Sequence, residues 1–71
     1  MQSIIDNLIN GNLIEAKRKA KRHSVVLLLA YMRGEIGWSA DKSLAAAKYL
    51  KGMCSYQEYC DAKLQPTPSN L

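Results

Sequence analysis

Five cations fall within six positions, Lys17, Arg18, Lys19, Lys21 and Arg22, and they are the densest chemical signal in the chain. Spread over one arc of a helix, they could neutralise several phosphates and release the condensed counterions, giving salt-sensitive nucleic-acid binding. The same field would steer an acidic protein surface. A plain solvated face is the third use of such a run. The second signal is aromatic. Trp38 follows a glycine, with Tyr31 and Arg33 shortly before it, and Tyr56 and Tyr59 share a helical stripe further on. Trp, Tyr and Arg are the residue types that anchor protein interfaces, because each offers a large rigid contact surface. The alternative is structural: a Trp folded over the core, and tyrosines packed with their hydroxyls at its rim.

Catalysis finds little support. His23, Cys54 and Cys60 are too few and wrongly spaced for a tetrahedral zinc site. A Cys–His nucleophile pair is conceivable, but so short a chain has little volume for a closed pocket. No Gly-rich phosphate loop ends in Lys-Ser/Thr, and no carboxylate pair stands out. We therefore expect a chain that is not an enzyme, with no cofactor, no metal and no small-molecule substrate.

The scaffold must be small. Seventy-one residues make one domain, near the lower limit for a single unstapled core. The apolar residues are mainly Leu, Ile and Ala, a mixture that favours helices. The net charge of +4 is one patch, because from His23 onward five cations nearly balance Glu35, Asp41, Glu58 and Asp61. Two cysteines make no disulfide framework, and Asp6 with its neighbouring asparagines does not suit a signal peptide. A cytoplasmic chain with reduced thiols is expected. The longest apolar run, Val25 to Met32, cannot span a bilayer, so no membrane partner is expected.

Capping residues divide the chain into four to five short helices. Ser3 is expected to cap the first, and Asn10-Gly11-Asn12 to stop it. Asn12 and Glu15 read as a capping box for a second helix, with Leu13, Ala16 and Ala20 inward and the cations of 17–22 opposite. Val25 to Ala30 is apolar all round, so it is either a central buried helix or half of an interface. We expect the buried helix, running to Arg33. Gly34 to Trp38 is a loop, and Ser39 caps the next helix with Asp41 in its first turn. Ala45, Ala46, Tyr49, Leu50 and Met53 are expected on its inner side, and Gly52 ends it. Ser55 and Glu58 cap the last helix, whose stripe is Tyr56, Tyr59, Cys60 and Leu64. The fold expected is all-α, a compact cluster of antiparallel helical hairpins over 1–64, with a flexible C-terminal tail over 65–71.

The stretch Tyr31 to Leu50 resembles one helical hairpin of the Sel1/tetratricopeptide class. Tyr31, Gly34, Gly37, Asp41, Ala45 and Tyr49 occupy that class's positions, with one extra residue in the turn. The resemblance covers a single unit and implies an antiparallel helix pair and a protein-binding scaffold. A DNA-reading helix-turn-helix fits poorly, since Ala40, Ser43 and Ala46 would give its recognition helix little reach.

Two functional expectations follow. One is a small non-catalytic binding protein that modulates a protein partner through Tyr31, Arg33, Trp38, Tyr56 and Tyr59. It would be an inhibitor, antirepressor or adaptor of the kind found in phages and plasmids, and a homodimer is possible. The other is a nucleic-acid binder using the basic helix 17–22.

Overall fold

The computed structural model describes residues 1–63, and over them the chain is all-helical, with no strand. The elements are α1 (Gln2–Ile9), α2 (Leu13–Ala20), α3 (Val25–Gly34), α4 (Ala40–Leu50) and α5 (Tyr56–Asp61). The expected contributions of Leu64 and of a tail over 65–71 lie outside the described residues.

Three of the helix starts are set by serine. Ser24, Ser39 and Ser55 each hold an extended backbone, and each hydroxyl accepts from the N–H three residues on, Leu27, Lys42 and Glu58 respectively. This satisfies one of the four donors that a helix N-terminus leaves without a partner. Ser3 does not play that part, because α1 already begins at Gln2 and Ser3 lies inside its first turn. Asn12 does precede α2, but its side chain makes no capping bond.

Two of the helix ends use glycine in the left-handed region. Gly11 (φ +82°) and Gly52 (φ +75°) each follow a helix and reverse the chain. Around Gly52, its own N–H donates to the Tyr49 carbonyl and the Met53 N–H donates to Lys48, the double bond of a Schellman turn. Gly11 and Asn12 close α1 in the same way on Leu8 and Asn7.

Packing follows the order of the chain. α1 lies on α2, α3 on α4, and α5 on α4, while α2 touches α4 and joins the two hairpins. The core is formed by Ile4, Ile5 and Leu8 of α1, Ala16 and Ala20 of α2, and Leu28 and Met32 of α3. Ala46, Ala47, Tyr49 and Leu50 of α4 and Tyr59 of α5 complete it. Small residues on α2 and α4 let the backbones approach closely. Met53, expected to face inward, is instead exposed just past the Gly52 turn.

α3 corrects a larger expectation. Val25 to Ala30 is helical, but it is not buried all round: Leu28 is fully covered, whereas Val26 is 71% and Leu27 54% exposed and Ala30 faces solvent. α3 has one principal neighbour, α4, and one neighbour covers one face.

Two lysines tie elements together, Lys42 buried and Lys51 half-buried. The Lys42 ammonium lies 3.7 Å from the centre of the Tyr59 ring and donates to the Tyr59 carbonyl at 2.7 Å, which ties α5 to α4. Burial lowers its pKa. Lys51 donates to the carbonyls of His23 (2.8 Å) and Ala20 (3.4 Å), where α2 ends and its dipole is negative. Lys51→Met keeps the aliphatic stem and removes the charge. It is expected to cost roughly 1–2 kcal/mol in urea-unfolding stability, with α2 fraying first by amide exchange. An unchanged unfolding midpoint would exclude that role.

Candidate functional site

The outward face of α3 is apolar and open, with Val26 and Leu27 adjacent in the chain and both more than half exposed. Val26, Leu29, Ala30, Arg33 and Gly34 recur at spacings of three and four, so they line up along one side of the helix and border a shallow trough. Leu27 lies at its edge. Arg33 closes one end. No carboxylate occurs from Arg22 through Gly34. A Cβ added at Gly34 would meet nothing within 4 Å. Its own fold therefore sets no steric limit on the side chain there, and with Ala30 one turn earlier the backbone lies open to close approach. Ile9, Ile14, Leu44 and Met53 are exposed apolar side chains elsewhere on the chain.

The aromatic candidates divide. Tyr31 is half-buried, packed against the core, and its hydroxyl donates to the Gln2 Oε1 at 2.7 Å, so it latches α3 to α1. Trp38 is also half-buried against the core, in the position of a plug. Arg33 is exposed. Tyr56 remains partly exposed, with its ring 5.3 Å from Tyr49 and 5.7 Å from Tyr59. Tyr59 is only 7% exposed and stacks on Tyr49 at 6.0 Å. Its ring belongs to the α4–α5 contact, which corrects its expected place on a binding surface. Burial pushes its phenol up to about 12.

The basic residues do not form one free arc. α2 ends at Ala20, so Lys21 and Arg22 sit in the turn before Ser24 and not on a helix extending to 22. The Lys17 ammonium rests over the Tyr49 ring at 4.3 Å. Arg18 forms a two-pronged pair with Glu15, whose carboxyl it holds below the ordinary range. Lys19 donates to the Ser3 hydroxyl at 2.6 Å. The helical wheel treated these cations as a uniform outer stripe. Their long stems instead reach neighbouring elements.

Cys54 is half-buried, with Sγ 3.4 Å from the Ala45 carbonyl, and burial raises its thiol pKa. Cys60 is exposed, and neither is bonded to the other. Among the described residues no three His, Cys, Asp or Glu side chains gather as metal ligands.

Sequence reasoning singled out the α3 run but assigned its outer residues to the core. The signal that could have corrected this was Ala30-x-x-x-Gly34, a small-residue pair on the side away from Leu28 and Met32. These features define a small α domain of five described helices, with one helix face left without a partner. No family model, curated protein or solved structure matches the chain. No helix among the described residues is long and apolar enough to cross a membrane.

Proposed function

We propose that this chain is a non-catalytic, cytoplasmic helical protein that binds another protein and alters its activity by covering a site, as an inhibitor, antirepressor or adaptor. The observation that carries this reading is the outer face of α3. Val26 and Leu27 are large side chains left more than half exposed on a helix whose other side is fully packed. Contiguous exposed apolar surface of this kind carries a hydration cost that a partner removes. Arg33 at its end, with no carboxylate among the lining residues, favours a partner helix that has an apolar stripe and an acidic flank. A second copy of this chain would bring the same charge to the contact, at a cost in repulsion.

The nucleic-acid reading is the weaker one. Lys17 and Arg18 already have intramolecular partners, and the remaining cations do not lie along one helix, which reduces what the run can offer to a duplex.

The test is capture from nuclease-treated extract on immobilised wild type and on Val26→Asp/Ala30→Asp, followed by reconstitution with the purified partner. We expect wild type to hold a partner and the double variant to lose at least roughly a hundredfold in affinity, two charges being forced into an apolar contact. Both should keep the same far-UV circular dichroism. A partner held equally by both would reject the α3 face. A concentration-dependent dimer abolished by the same pair would assign the face to self-association instead.

A further inference from the structure

We infer that the cleft between the start of α1 and the α2–α3 turn is a binding site for a phosphoryl group. The recess has a volume of about 330 Å³ and is lined by Ser3, Ile4, Arg18, Lys19, Arg22 and His23, with Met1 at its edge. Three cationic side chains and an imidazole thus border one concavity, and no carboxylate lines it. They come from two elements far apart in sequence. Ser3 belongs to α1, and the cations belong to α2 and the turn beyond it, so the fold creates this grouping.

Each component suits an oxyanion. The Lys19 ammonium lies 2.6 Å from the Ser3 hydroxyl, so a donor and a rotatable O–H point into the same space. Arg18 is paired with Glu15, so Lys19 and Arg22 carry the net charge of the recess. Arg22 is exposed in the turn and makes no hydrogen bond among the described residues, which leaves its planar fork available for two phosphate oxygens. α1 opens beside them with no side-chain cap, so its first-turn N–H groups and the positive end of its dipole add to the same field. The site is distinct from the α3 trough and does not depend on it.

The measurement is an amide-resonance titration of the full chain with inorganic phosphate, against chloride at matched ionic strength. Saturable shifts are expected at Ser3, Lys19, Arg22 and His23, with a millimolar Kd. Lys19→Gln/Arg22→Gln should weaken binding at least about tenfold with the remaining spectrum unchanged, as expected for removal of two charge-assisted donors. Arg22→Gln alone, in a turn with no internal bond, supplies the reading if the double variant unfolds. A nucleoside monophosphate and a short single-stranded oligonucleotide separate the sources. An oligonucleotide that binds more tightly than phosphate, and is displaced by it, assigns the group to a nucleic-acid backbone. Equal affinity per phosphate assigns it to a small phosphate. Identical shifts with chloride, or shifts spread equally over Lys48 and Lys63, would overturn the site.

Discussion

Leu28→Ala is expected to lower the stability of this domain by about 3 kcal/mol, while Leu27→Ala, one residue away, changes it by less than about 0.5 kcal/mol. Leu28 is fully enclosed between α3 and α4, so truncating it removes transfer energy and leaves a cavity that the α-helical backbone cannot collapse. Leu27 is more than half exposed, so truncating it removes little packing and leaves no cavity. A domain of this size has a total stability on the order of 5 kcal/mol, so the first change consumes most of it. The corresponding fall in melting temperature is roughly 15 °C, read by circular dichroism. Equal losses from both substitutions in a monomeric sample would mean that the inner and outer faces of α3 are wrongly assigned. A Leu27 effect that grows with protein concentration would instead reveal the outer face as a self-association surface.

The second large effect is alkaline destabilisation through Tyr59. Its phenol is raised from the ordinary 10.0 to about 12, first by burial and then by the neighbouring Tyr56 and Cys60. Between those values the unfolded chain has released the proton and the folded chain still holds it. The Tyr59 contribution to stability is therefore complete below about pH 10 and is lost as pH rises to about 12. Lys42 acts with the opposite sign. Burial lowers its pKa, so the unfolded chain binds more protons just below 10.5, and stability rises with pH there. Tyr59→Phe keeps the ring beneath the Lys42 ammonium and removes the titrating group. Urea midpoints across pH 8–12 should then show a shallower alkaline fall, the part left coming from Tyr56 and Cys54, whose pKa values are also raised. A variant that falls as steeply as wild type would exclude Tyr59 as the cause.

The helical class and most element borders were legible in the chain, because they depend on local chemistry. A serine with an extended backbone finds an N–H three residues on whatever surrounds it, and Ser24, Ser39 and Ser55 all do so. Glycine reverses the chain after α1 and α4 for an equally local reason. Ser3 misled because a serine one position inside a helix looks the same in sequence as one just before it.

The candidate surfaces were not legible in the same way. A run such as Val25 to Ala30 has no polar residue to mark a phase, so its apolar pattern does not say which side is in. The basic stretch has the converse defect: lysine and arginine stems are long enough to reach a ring, a carboxylate or a hydroxyl on another element, and the wheel shows none of these. His23 and Ser3 share a cleft only because α1 folds back along α2.

The residues alone determined that this protein would be short capped helices closed by glycine turns, since capping and chain reversal are settled within a few positions. Only the tertiary structure decided that Leu28 is inside and Val26 outside, that Tyr59 is covered, and that Ser3 meets Lys19. Those outcomes depend on which helix lies against which, and packing of surfaces distant in sequence leaves no mark on either segment by itself.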